Sequence, residues 1–332
     1  MISPTHTEKI SERISSGAIH ESKGLWVLGT YNGPIQVYRK GIEKPSTIIG
    51  CQGSVRSLEF NILGDKILSS DQNGNLFITD IETQAHSYTK MKAHSTPLEC
   101  SRFISESVIV SGDSEGHVKV WDIRDSKTVQ KFHNEKDFVS DIAVVDEKTF
   151  GVSTGNGVLS LYCTNRNKRK QYFHQEDDDL VSLCYDSFCS LFVAASSRPK
   201  LYSTRYPSLD FVCEANFKST RPFVFVRAFK TNKCRVVVGA DDGVVYITDV
   251  APNHLIYAFQ AHKNDLLGGC LSGGLVMTWS ITNEYKVWDL SEKRDEEFVS
   301  EKKKKRMKKK KSVKVHDNRD SFFDELKDSD DE

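Results

Sequence analysis

Five stretches of the chain repeat one pattern of apolar and polar positions: LGTYNGPIQVY at 28–38, SSDQNGNLFITDI at 69–81, SGDSEGHVKVWDI at 111–123, STGNGVLSLYC at 153–163 and VGADDGVVYITDV at 238–250. Each begins with an apolar run, passes through a polar turn ending in Gly, and resumes with alternating apolar residues. Alternation with a period of two marks a half-buried strand. Asn-Gly, Glu-Gly and Asp-Gly supply the left-handed backbone of a tight hairpin, and β-branched and aromatic residues on either side favour strands. No helical period runs through these segments, so each is predicted to be strand, turn, strand.

The turn glycines are Gly33, Gly74, Gly116, Gly157 and Gly243, and two weaker copies, SSRPKLYSTR and SITNEYKVWDL, put Pro199 and Asn283 in the same place. Successive spacings are 41, 42, 41, 42, 44 and 40 residues. A repeat of roughly 40–45 residues built from short strands and ending in Trp-Asp marks a β-propeller blade. Trp121-Asp122 and Trp288-Asp289, with Thr79-Asp80 and Thr248-Asp249 as weaker copies, resemble the WD-repeat family. That resemblance, which covers residues ~12 to 290, implies an all-β, seven-bladed WD-repeat propeller over residues 1–292; the charge of residues 293–332 marks them as a disordered tail. It also implies that a strand from within Ile2 to Ile10 completes the last blade and removes an exposed edge.

Members of that family cross-link a blade through a His, a Ser or Thr, an Asp and the Trp. His94, Ser111 and Trp121 match in blade three, with Glu115 where Asp is expected; His262, Thr278 and Trp288 match in blade seven, with Thr282 in that place. Incomplete networks imply blades held more by apolar packing.

Charge changes the picture only at the C-terminus. Lys and Arg equal Asp and Glu, 46 against 46, yet residues 302–316 carry ten positive charges and no negative ones, and 317–332 carry eight negative and two positive. Such blocks repel themselves out of a packed fold. The basic run comprises Lys302, Lys303, Lys304, Lys305 and Arg306, then Lys308, Lys309, Lys310 and Lys311. It is expected to act as a nuclear import signal and to contact nucleic acid. In the acidic end, Phe322 or Phe323 and Leu326 would share one face of a helix formed on binding, an anchor for a partner groove. Ser321 and Ser329, each three residues before an acid, are candidate phosphorylation sites.

Eight scattered cysteines are expected to be reduced. The N-terminus is polar and no apolar stretch reaches the ~18 residues of a membrane helix, so cytosol or nucleus is expected and membrane is not. GVSTG at 151–155 matches a nucleophile elbow but lies in a strand hairpin without a following helix. His174, Cys184 and Cys189 lack the paired spacing of a zinc site, and EDDD at 176–179 lacks the spacing of a calcium loop. No catalytic residue, metal or cofactor is expected, and a non-enzymatic binding scaffold is.

Two surface features could bind. Arg166, Lys168, Arg169 and Lys170 crowd a loop after the third strand of blade four and could hold phosphate oxygens of RNA or meet a protein. WDIR resembles the motif by which some WD proteins dock to the adaptor of a cullin-RING ubiquitin ligase, which would give Trp121, Asp122 and Arg124 that role. The whole chain, with HSTPLECSRF leading into the WDIR blade, NRNKRK, APNHLIYAFQAH, the lysine cluster and DSFFDEL, is similar to the WD-repeat-containing protein 55 family. That similarity implies a nucleolar scaffold acting in ribosome biogenesis and pre-rRNA processing, a monomer within larger complexes of pre-ribosomal assembly proteins and rRNA. The alternative is a ubiquitin-ligase substrate receptor.

Overall fold

Each repeat folds into a four-stranded antiparallel sheet, and seven such sheets make the propeller. The computed structural model describes residues 2–292 apart from 126, 134, 166–170, 176–177, 217–220 and 252. In blade three the strands Leu98–Phe103, Val108–Asp113, His117–Asp122 and Lys127–His133 run from the axis outward. Successive inner strands touch, and the inner strand of blade seven touches that of blade one, so the ring closes. Apolar clusters fill the wedges between neighbouring blades: Cys100, Val110, Val118 and Val120 of blade three pack with Ile142, Phe150 and Val152 of blade four. All eight cysteines are free thiols.

The period exists because the hairpin turns touch the neighbouring blade. Gly74 has φ 78°, the left-handed region that favours glycine. A Cβ there would also lie 2.3 Å from the carbonyl oxygen of His94 in the following connector, whose amide donates to the Gly74 carbonyl at 3.1 Å. Gly157 and Gly243 make the same hydrogen bond to Gln175 and Ala261, at 2.9 and 2.8 Å. Asn283 holds the equivalent turn at φ 62°, a conformation Asn tolerates.

The last blade is completed by the strand His6–Lys9, which pairs antiparallel with Glu284–Asp289. Tyr285, fully buried, donates through its hydroxyl to Glu8 at 2.7 Å and accepts from Trp26 of blade one at 3.3 Å; His6 lies 3.0 Å from the same oxygen.

Blade three corrects the expectation of an incomplete network. The carboxylate is Asp113, which opens the turn two residues past Ser111; Glu115 lies beyond it and donates its amide to Asp113. Trp121 Nε1 donates to Ser111 Oγ at 2.9 Å, Ser111 donates to His94 Nε2 at 2.8 Å, and His94 Nδ1 donates to Asp113 Oδ2 at 2.8 Å. A carboxylate can only accept, which sets the tautomer of His94. Burial alone would raise the Asp113 carboxyl, but the bonds from His94 and the His117 amide hold it well below the usual carboxylate range.

Blade seven keeps Trp288 and His262 bonded to Thr278, at 3.0 and 2.9 Å. The position equivalent to Asp113 is Ser280, not Thr282: both pair with the first residue of their inner strand, Leu98 and Leu266. His262 Nδ1 lies 3.3 Å from Glu284 Oε2, yet no well-aligned hydrogen bond forms. Burial, helped by Lys286, lowers the His262 pKa to about 4, so the ring stays neutral at physiological pH.

Asp113→Ala is expected to destabilise by roughly 3 kcal/mol, because buried donors lose a charged acceptor, whereas Ser280→Ala costs about 1 kcal/mol. Urea titration at pH 7 compares them. Because Asp113 titrates below its unfolded value, its contribution is complete above about pH 4 and is lost as pH falls through the folded pKa, so the gap to wild type should narrow in acid. Tyr285→Phe, which leaves the Trp26 indole N–H without its acceptor and Glu8 with the His6 contact alone, should cost roughly 1–3 kcal/mol in the same titration.

Candidate functional site

Two faces and a bore are available for binding. In a blade of four antiparallel strands, the glycine turns and the connectors to the next blade emerge on one side, and the strand ends after Trp-Asp on the other. The first is called the connector face here, and the hydrogen bonds from connectors to turns hold it in shape.

Apolar side chains stand exposed on the connector face. Tyr31 and Ile281 come from the hairpin turns of blades one and seven, and Ile49, Met91 and Phe138 from the three connectors that join blades one to four; Ile49 is 79% exposed. The Arg13 guanidinium sits 4.7 Å from the centre of the Tyr31 ring. Beside Met91, the amides of Gln52, Gln72 and Asn73, with Thr96 and Pro97, line a cavity of about 500 Å³. Phe138 lies over Gly155, where any Cβ would strike the ring. Apolar anchors among adaptable amides can bury surface while keeping polar groups paired, which suits a protein partner.

The opposite face carries the WDIR residues. Trp121 is buried and committed to the network of blade three. Asp122 and Arg124 sit at the strand end, where Arg124 Nε and Nη2 donate to Asp122 Oδ1 and Oδ2 at 2.9 and 2.6 Å. Those bonds hold the Asp122 carboxyl down to about 2. The Arg124 side chain is 72% exposed, so the pair is a surface bidentate bridge that a competing carboxylate could open at small cost. Thus the structure brings Asp122 and Arg124 together and sets Trp121 apart in the core. Arg166, Lys168, Arg169 and Lys170, the basic run 302–311, and Phe322, Phe323 and Leu326 lie outside the described residues.

The bore holds a polar cluster that sequence reasoning did not single out. Asp141 of blade four accepts from Arg102 of blade three at 2.5 Å and from Arg227 of blade six at 3.0 Å. Ser182 Oγ, the Leu183 amide and the Ile142 amide complete its partners. Burial would raise this carboxyl, and the two arginines hold it below its ordinary value instead. Glu59 of blade two accepts from the Phe103 amide at 2.6 Å. The signal was present: aligned by their inner strands, VRSLEF, LECSRF and FVFVRA each carry a charge at the fifth position.

Among the described residues no group of three or more His, Cys, Asp or Glu side chains is placed to hold a metal ion, and no helix is long and apolar enough to cross a membrane.

No family model matches the chain. It is 26% identical over 299 residues to the WD repeat-containing protein 55 homolog of Aedes aegypti, covering 87% of this chain and 62% of that protein. Identity to WD repeat-containing protein 55 of Arabidopsis thaliana is 23% over 82% of this chain and 79% of the relative. For the Rattus norvegicus protein of that name the values are 22%, 88% and 78%. The chain thus spans 62% to 79% of the length of these relatives. In fold it is a WD-type propeller of seven blades, and along most of its length it is similar to the WD repeat-containing protein 55 proteins.

Proposed function

We propose that the chain is a non-enzymatic WD-repeat scaffold of nucleolar ribosome biogenesis, supporting pre-rRNA processing by holding pre-ribosomal assembly proteins together. The observation that carries the scaffold part is the arc of apolar side chains on the connector face, with Ile49 exposed and Met91 exposed beside an amide-lined cavity. Similarity to WD repeat-containing protein 55 proteins supports the assignment to ribosome assembly. The basic run 302–311 would carry the chain to the nucleus and nucleolus, and with Arg166, Lys168, Arg169 and Lys170 would contact rRNA electrostatically.

One observation favours a second reading. Arg124 is exposed and preoriented by Asp122, as a docking residue for a ubiquitin-ligase adaptor would need to be.

Affinity purification of the tagged full-length chain from nuclease-treated nuclear extract is expected to recover ribosome-assembly proteins. Ile49→Asp combined with Met91→Asp should reduce that recovery at least tenfold without lowering the melting temperature, since both side chains are exposed, and deletion of 302–311 should disperse the protein from the nucleus. Recovery of a cullin adaptor that vanishes in Arg124→Ala, with no assembly proteins, would establish the second reading in its place.

A further inference from the structure

The bore is charged unevenly, and the imbalance has a definite location. Four residues past the first paired residue of each inner strand, blades two, three and six carry Glu59, Arg102 and Arg227, while the other four carry alanine or cysteine. Three long polar side chains therefore meet where four short ones leave room, beside a cavity of about 480 Å³ at the mouth opposite the connector face.

Asp141 is the carboxylate bonded to both arginines, so one positive charge of the pair is left over while Glu59 is protonated. Arg227 uses a single nitrogen, Nη1, for Asp141, Ser182 and the Val226 carbonyl; among the described residues its Nε and Nη2 have no hydrogen-bond partner. Arg102 directs Nη1 to Ser57 and the Ser101 carbonyl and Nη2 to Asp141. Glu59 makes no ion pair with either arginine among the described residues, although it faces them. A guanidinium with a free edge, whose charge protonation of Glu59 leaves uncompensated in a protein-walled bore, matches the geometry and charge of a tetrahedral oxyanion.

We propose that the bore binds one free inorganic oxyanion, phosphate or sulfate, between Arg227 and Arg102 and against Glu59. The site is independent of the scaffold function proposed above. Glu59 couples it to protons: burial pushes its carboxyl up to about 7, against the attraction of Arg102. Ionised, Glu59 repels the anion; protonated, it donates a hydrogen bond to it. Binding therefore takes up a proton and weakens as pH rises through the range in which Glu59 ionises. The other titratable and charged groups lining the bore among the described residues are Cys100 and Arg102 of blade three, Asp141 of blade four, Cys184 and Tyr185 of blade five, Arg227 and Lys230 of blade six, Cys270 of blade seven and His20 of blade one, with Arg56 and Glu99 at the connector-face mouth. Burial raises the three thiols, which stay neutral throughout.

Calorimetric titration of the full-length chain with sodium sulfate at fixed ionic strength tests this, since sulfate does not titrate between pH 6 and 8. One saturable site is expected, with affinity about tenfold weaker at pH 8 than at pH 6, as one linked proton with a pKa near 7 requires. Glu59→Gln should keep the site and lose the pH dependence. Arg227→Lys, which can still pair with Asp141 but lacks the fork, should weaken binding at least tenfold while its thermal melt confirms folding. Absence of a saturable site at pH 6 overturns the proposal, and so does equal affinity in Arg227→Lys, which would place the ion on surface lysines. A pH dependence surviving in Glu59→Gln would place the proton on another group and overturn the part given to Glu59. Glycerol phosphate, titrated in parallel, should bind more weakly than inorganic phosphate; tighter binding would overturn the assignment to a free ion.

Discussion

The ring depends on four residues pairing with the last strand of the propeller. Every blade buries its apolar wedge against the next, so no blade has a complete core of its own. In such an array the blades at the two ends would each leave a face open, and a sheet edge with it. His6–Lys9 removes both by supplying the outer strand of blade seven from the segment that leads into blade one. Tyr285 ties that seam to blade one through Trp26 as well as to Glu8, so closure is fastened by side chains in addition to the backbone ladder.

Once the ring is closed, individual blades tolerate different chemistry at the same internal position. Blade three uses the relay from Trp121 through Ser111 and His94 to Asp113. Blade four replaces the Trp and His by Tyr162 and Glu135, which bond directly. Blade five bridges the corresponding connector with Tyr202 donating to Asp178 at 2.7 Å. Blade two keeps the carboxylate as Asp71, which accepts from the Asn73 and Asn75 amides and caps the turn, while Cys51 and Thr79 stand in for the imidazole and the indole. Common to these blades is a polar tie from the connector to the strands, or a carboxylate capping the turn, and not one set of residues. Lys119 and Lys286 add a further tie, each donating to the carbonyl of the residue before the connector histidine.

How much of this was legible follows from which positions have only one physical solution. Gly74 is conspicuous because its left-handed backbone and its contact with the His94 carbonyl both exclude a side chain; repeating that constraint sets the period and, with it, the fold. Asp113 was less legible because two acids, Asp113 and Glu115, lie in the same turn, and only the pairing with Leu98 tells which one reaches His94. In the inner strands the difficulty is different. Both faces of such a strand are covered, one by a neighbouring blade and one by the bore, so alternation does not reveal which polar residue points inward. Glu59 and Arg102 therefore look like ordinary solvent-facing positions until the ring is assembled. The pairing of Arg124 with Asp122 was likewise hidden, since WDIR shows the residues but not that they satisfy each other.

That concealment also bears on where function resides. A change in the loops or at the outer rim meets water, whereas a charge in the bore must be balanced by residues on other blades. Asp141 bonds to Arg102 and Arg227, which lie 39 and 86 residues away in the chain, so the cluster requires three blades to be in register at once. An isolated buried ion pair contributes little to stability against an apolar alternative. Five donors converging on one carboxylate, with Glu59 held nearby outside any ion pair among the described residues, is a costlier arrangement than packing requires. Four of the seven equivalent positions use alanine or cysteine, so small or apolar side chains are compatible with closure of the ring. The charges at the other three thus answer to something other than the packing of the blades, and the free edge of Arg227 is where that requirement is exposed.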